Sequence, residues 1–184
     1  MIKPANCTSI DASIDSLKIG MAQISFSDCA RDLGFIISSD LSLQRHVSAV
    51  CQSANFEIRK IAAIRQYLSV DATKKLVSAY VLSRLDMFNS LLSGCDKTLI
   101  GQLQLVQNNA ARLITRTSRR SNISPVLMDL HWLRIQERIE YKLCSLCYNF
   151  FTGNCPSYFS ELLTKYICAR PGNRSNADGH LLHS

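Results

Sequence analysis

The sequence is notable first for what it has little of. Four prolines and seven glycines in 184 residues, with 19% charged side chains, exclude collagen-like, low-complexity and highly charged disordered classes. No stretch approaches the roughly 18 consecutive apolar residues of a membrane span, which leads us to expect a chain without membrane contact. There is no Gly-rich phosphate loop and no Gly-x-Ser-x-Gly elbow, and His46, His131, His180 and His183 have no recognisable nucleophile beside them, so no catalytic centre is legible. The start, MIKPANCTSID, lacks a basic segment followed by an apolar one. We therefore expect an intracellular chain, cytoplasmic or nuclear and not secreted, with reduced thiols.

What is present is a foldable composition, 47% hydrophobic, and eight cysteines. Cys144-x2-Cys147, followed by Cys155 and Cys168, has the makings of a zinc site. The first pair, however, falls inside a helical pattern and the later two are single, so buried structural thiols are the expectation and no cofactor is assigned. His131, beside the sole tryptophan, Trp132, reads as a packed helix-junction residue.

The first forty residues differ from the rest. Ser16 to Phe26 alternates partially and is broken by Gly20, and Asp32 to Ser38 is a short apolar run, so two or three strands are expected with Ser27 to Arg31 as a turn. After Asp40 the period becomes helical. Val47, Cys51, Ala54, Ile58, Ile61, Ile64 and Leu68 form one stripe, predicting a helix from about Leu43 to Tyr67. Ser69 caps a second helix whose apolar face runs from Val77 through Tyr80, Val81, Arg84, Leu85 and Phe88 to Leu92, ending at Gly94. Asp96 caps a third carrying Leu99, Leu103, Val106, Ala110, Leu113 and Ile114. The basic segment 115–122 reads as a loop, with Ser124 and Pro125 as N-cap and first residue of a short helix. A fourth long helix carries Ile135 to Phe150 and ends near Gly153, and Pro156 opens a last short helix reaching Tyr166. The resulting scheme is a mainly α chain preceded by a small antiparallel β-hairpin, with residues 1–40 as the hairpin region, 41–120 as a three-helix bundle, 121–168 as a helical extension and 169–184 as a disordered tail.

Charge is uneven along this scheme. Residues 41–120 carry twelve basic and four acidic side chains, whereas residues 1–40 carry three and five. No acidic residue lies between Asp96 and Asp129, an interval containing Lys97, Arg112, Arg116, Arg119 and Arg120. Arg112, Arg116 and Arg119 stand at helical spacing and would line about 10 Å of one helix face if the third helix continued that far. Such a row suits successive backbone phosphates; a solvated polar face fits the same spacing. Arg59, Lys60 and Arg65 are further candidates on the first helix, and Asn108 and Asn109 could add hydrogen bonds.

Four blocks carry a family resemblance: Asp32-Leu-Gly-Phe-Ile-Ile-Ser-Ser-Asp-Leu-Ser, Ser83-Arg-Leu-Asp-Met-Phe-Asn-Ser-Leu-Leu-Ser-Gly, Leu103-Gln-Leu-Val-Gln-Asn-Asn-Ala-Ala-Arg-Leu-Ile and Ser124-Pro-Val-Leu-Met-Asp-Leu-His-Trp-Leu. In order and spacing they resemble the C-terminal part of reverse transcriptases from LINE-type, Jockey-like non-LTR retrotransposons, over nearly the whole chain from about residue 16. The resemblance implies the end of an RNA-directed DNA polymerase: a palm hairpin in which Leu33-Gly34 resembles the primer grip, a helical thumb that holds an RNA/DNA or other duplex, and a helical extension. The family's Ala-Asp-Asp box lies N-terminal to everything here, and this sequence has no Asp-Asp pair, so the Mg²⁺ that the family uses has no counterpart residues and the chain is not expected to polymerise. A missing palm or another protein is the alternative partner, the chain then being a non-catalytic interaction module or an inactive relic. One departure stands out. The family often has Pro after His-Trp-Leu, where this chain has Arg134, pointing to a decayed copy or to a continuous helix.

Overall fold

A computed structural model describes residues 16–25, 27–159, 164–166 and 181–183. Its chain clusters into two units, Met1–Val50 and Cys51–Ser184, with the boundary inside the first helix.

The first unit holds two hairpins. Strands β1 (Ser16–Ile19) and β2 (Ala22–Ser25) pair antiparallel, as do β3 (Cys29–Asp32) and β4 (Phe35–Ser38). Two hairpins replace the expected one, and Cys29 to Arg31, expected as turn, are strand. The reversal falls instead at Leu33-Gly34, both at positive φ (47° and 94°), the backbone a two-residue loop needs to match strand twist. Glycine accepts that conformation freely, whereas Leu33 holds it under strain and is 84% exposed. Helix α1 (Gln44–Ile64) follows, and His46 in its first turn is buried. Its Nδ1 accepts the Ile36 N–H at 3.4 Å and its ring lies 4.1 Å from that of Phe35. Burial and, second, the Arg31 charge hold the imidazole below its ordinary pKa, which keeps the neutral acceptor form.

The second unit is helical and centred on α4 (Lys97–Thr115), which packs on α2 (Val70–Val77), α5 (Ser124–Asp129) and α6 (Ile135–Phe151). The segment read as bundle, from Cys51 onward, thus shares one unit with the extension. Six α4 residues are buried, Leu103, Val106, Gln107, Ala110, Ala111 and Ile114, each large apolar one stabilising by about 1.5–3 kcal/mol. Both expected caps are present: Ser69 Oγ accepts from Ala72 N at 3.2 Å, and Asp96 Oδ1 accepts from Thr98 N at 3.1 Å.

The helix expected to reach Gly94 ends earlier. After α2 the backbone widens into a π turn, Ser78–Leu82, continues as α3 (Ser83–Asp86) and breaks at Phe88, which is left-handed. The wider turn rotates the apolar register, so Val81, Leu82 and Leu85 are buried while Tyr80 is 50% exposed.

Helix α5 begins one residue earlier than expected, with Ile123 at the cap and Ser124 already helical. Its end explains the His-Trp pair. His131 is left-handed (φ 56°), its N–H bonds to Met128 O at 2.9 Å and the Trp132 N–H to Leu127 O at 2.9 Å. This is a Schellman termination with histidine where glycine is usual. His131 is consequently exposed rather than packed. The chain does not run on as one helix through Arg134 either. That residue caps α6 with φ −66° and ψ 161°, and its N–H donates to Glu137 Oε2 at 3.0 Å, a bond proline could not make. Helix α6 closes with a second Schellman turn at Gly153 (φ 75°), where Gly153 N bonds to Phe150 O and Asn154 N to Asn149 O.

Beyond it, Thr164–Tyr166 (β5) pairs antiparallel with Leu181–His183 (β6). The expected last helix is thus a strand at its end, and the tail expected to be disordered contributes a strand because three residues there find a backbone partner. Residues 160–163 and 167–180 lie outside the described ones. The thiols also differ from expectation: Cys144 is exposed, and Cys29, Cys51, Cys95, Cys147 and Cys155 are half-buried, none fully enclosed. On α6 only Ile135 and Ile139 are buried, so Cys144 and Cys147 lie past the well-covered turns.

Candidate functional site

The basic residues are organised by the C-terminal end of α4. The helix stops at Thr115 because Arg116 turns left-handed (φ 57°), so Arg112, Arg116 and Arg119 do not form the expected row along a helix face. Beyond the reversal Thr115 Oγ1 and Thr117 Oγ1 lie 2.8 Å apart, and Ser121 N bonds to Ser118 O at 3.2 Å, a tight loop that returns toward α4.

Two of the sequence candidates are taken up by this turn. Arg65 is 7% exposed, and its guanidinium donates to Leu113 O at 3.0 Å, Ile114 O at 2.8 Å and Leu68 O at 2.9 Å. It places a positive charge on the last carbonyls of α4, the negative end of the helix dipole. Arg116 Nη2 donates to Arg65 O at 3.4 Å. Of the others, Lys60 pairs with Glu57 at 3.1 Å and lies over the Phe56 ring at 5.3 Å, and Arg120 is exposed on the loop. Leu33 and Gly34 form the tip of the β3–β4 hairpin in the first unit.

Arg59, Arg112 and Arg119 come together. They line one cavity of about 440 Å³ with Asn55, Asn109 and Thr117, while Ile58 and Leu113 supply its apolar wall. Asn55 and Arg59 are one turn apart on α1, Asn109 and Arg112 one turn apart on α4, and Thr117 and Arg119 come from the loop. No carboxylate is among the described residues lining the cavity, and none of the three arginines forms an ion pair among the described residues. Arg112 Nε is buried with no hydrogen-bond partner among them. A buried unpaired donor on a cation is costly. Sequence reading found the three arginines and Asn109. It missed Asn55, whose signal was its place one turn before Arg59, and Thr117, which stood in the basic loop.

A second cavity, of about 360 Å³, is lined by Asp86, Asn89, His131, Leu133, Arg138, Tyr141 and Lys142. Here the arginine is committed: Arg138 Nε donates to Asp86 Oδ1 at 2.8 Å and Nη2 to Asp86 Oδ2, a bidentate pair.

Two glutamines, also missed from sequence, lock α4 to the α5–α6 turn. Gln107, fully buried, donates to Leu133 O at 2.8 Å, and Gln104 Oε1 accepts the Ile135 N–H at 2.9 Å. The second bond satisfies a donor that the start of α6 leaves free. Thiol chemistry has little support. Burial pushes the Cys51 thiol up, and burial together with the Asp96 carboxylate pushes Cys95 up, so neither is poised as a thiolate. Among the described residues no group of three or more His, Cys, Asp or Glu could hold a metal ion, Cys168 lying outside them. No described helix is long and apolar enough to cross a membrane.

No protein-family model, curated protein or solved structure matches this chain.

Proposed function

We propose that this chain binds nucleic acid through its sugar-phosphate backbone without reading sequence, in the manner expected of the duplex-holding thumb of a non-LTR retrotransposon reverse transcriptase. The observation that carries the reading is the convergence of Arg59, Arg112 and Arg119 on a cavity whose described lining contains no carboxylate. Guanidinium groups suit phosphate oxygens because they offer a planar fork of donors and stay charged. Arg120 and Lys60, exposed nearby in sequence, would add diffuse attraction. The resemblance in four ordered blocks supplies the partner class, an RNA/DNA or other duplex, and the reading assigns no polymerisation and no cofactor to this chain.

A salt titration of duplex binding tests it. The expected slope of log affinity against log salt is clearly negative, and it becomes shallower in an Arg112→Glu/Arg119→Glu variant. A slope near zero, or one indifferent to the reversal, ends the proposal. A protein-interaction module is the second reading, favoured by Tyr141 and Tyr148, each 67% exposed and two turns apart on α6. A palm domain or another protein would be its partner, and a clean monomer in gel filtration without apolar dye binding counts against it.

A further inference from the structure

The expected row of arginines would have followed a running strand, but the structure breaks that row. Arg65 is buried against carbonyls, Arg116 is turned onto Arg65 O, and the remaining Arg59, Arg112 and Arg119 meet around a concavity. From this we propose that the cavity is a seat for a terminal phosphate monoester, the phosphorylated end of a nucleic-acid strand. The inference rests on the reading of the chain as a backbone binder and goes beyond it by naming which phosphate the site prefers.

Charge count is the first argument. An internal phosphodiester carries a single negative charge, whereas a monoester carries about −1.5 to −2 at neutral pH and has three terminal oxygens as acceptors. Three guanidiniums with no carboxylate among the described lining residues repel one another around the cavity. A near-dianion offsets that repulsion more fully than a monoanion does, and its additional oxygen offers the guanidiniums one more acceptor. Shape is the second argument. A cleft of about 440 Å³ falls in the size range of small-ligand sites, and a strand end enters a concavity more readily than a strand passing through. The rest of the lining fits one nucleotide behind the phosphate. Asn55, Asn109 and Thr117 offer neutral donors and acceptors for sugar hydroxyls or base edges, and Ile58 and Leu113 offer apolar surface for a sugar or base face.

The experiment compares full-length protein binding to one oligonucleotide duplex carrying either a 5′-phosphate or a 5′-hydroxyl, with a 3′-phosphate form as a third ligand and inorganic phosphate as competitor. One phosphorylated end is expected to bind roughly tenfold tighter than the hydroxyl end, as one or two added charge-assisted hydrogen bonds give. That preference should vanish in Arg59→Gln/Arg119→Gln, both exposed residues whose replacement leaves the fold intact by circular dichroism, and in Arg112→Gln if that variant folds. Displacement by millimolar inorganic phosphate of the phosphorylated end alone agrees with a monoester seat. Equal binding of all three ends overturns the inference while leaving the salt-dependent grip standing. A preference that survives in Arg59→Gln/Arg119→Gln overturns it as well, since the seat is then elsewhere. Absence of any salt-dependent binding removes the underlying reading instead.

Discussion

The two cavities of the helical unit are of similar size, about 440 and 360 Å³, and both contain arginine, yet they handle its charge in opposite ways. In one, Arg138 is spent on Asp86 in a bidentate pair. In the other, three arginines face a space in which no described lining residue is acidic. Between them stands Arg65, whose charge is neither paired with an acid nor presented to a ligand but absorbed by three backbone carbonyls. The number of basic residues in a segment therefore says little about what they bind. The partner that each guanidinium already has decides which of them is free to meet a ligand.

The largest expected effect of removing any of these charges is at Arg65. Arg65→Ala strips donors from three carbonyls and leaves a void beside the end of α4, and we expect a loss of about 3 kcal/mol in urea-induced unfolding. A loss below about 1 kcal/mol would show that Arg65 is dispensable as a cap and returns it to the pool of ligand-facing cations. Next comes the committed arginine. Its side chain is 22% exposed and that of Asp86 37%, so solvent screens the pair and its strength rests on bidentate geometry. A double-mutant cycle of Asp86→Asn and Arg138→Gln should give a coupling of about 1 kcal/mol, and additive single effects would abolish the contrast between the cavities.

This division of labour was only partly legible in the sequence. The apolar periods of α1, α4 and α6 and the caps Ser69 and Asp96 were readable because they depend on neighbours three or four residues away. Arg112 and Arg119 stood out as candidates from spacing and from the lack of acids around them, with Arg59 as a further candidate on the first helix, but that the three would line one cavity was not legible. Helical periodicity does not reveal that Arg116 would adopt a left-handed turn, a conformation rare for a residue with a Cβ. Nor does it show that Arg65 would find carbonyls 48 and 49 positions away. The π turn that rotates Tyr80 outward leaves no compositional mark, and the β5–β6 pairing joins segments too distant in sequence for a periodic signal. Conversely, the His131-Trp132-Leu133 run, conspicuous as sequence, proves to be largely the termination of α5.

Two left-handed residues that end helices, Arg116 and His131, offer a smaller test. Glycine relieves the Cβ clash at either position and adds some unfolded-state entropy, so His131→Gly should stabilise by about 0.5–1 kcal/mol. Arg116→Gly gains the same relief but loses the bond to Arg65 O, and its net effect should lie near zero. Thermal melts of the two variants separate these terms. Equal gains at both sites would mean that the Arg116 side chain does nothing for the turn and is available to a ligand after all.

The smallest stability effect is the one that bears most on function. Arg59 and Arg119 are exposed and have no ion-pair partner among the described residues, so Arg59→Gln and Arg119→Gln should each change unfolding free energy by less than about 0.5 kcal/mol. Removing mutual repulsion around the cavity could even turn that change slightly stabilising, most visibly at low salt where screening is weakest. Each substitution should nevertheless make the salt slope of nucleic-acid binding shallower by about one. That combination, a silent fold and a changed slope, is the signature of a charge kept for a ligand. A structural arginine such as Arg65 gives the reverse, a large stability loss whose effect on binding disappears once the folded fraction is taken into account. If Arg59→Gln and Arg119→Gln instead destabilised the protein as Arg65→Ala does, the two classes of arginine would merge, and the carboxylate-free cavity would be a feature of packing alone.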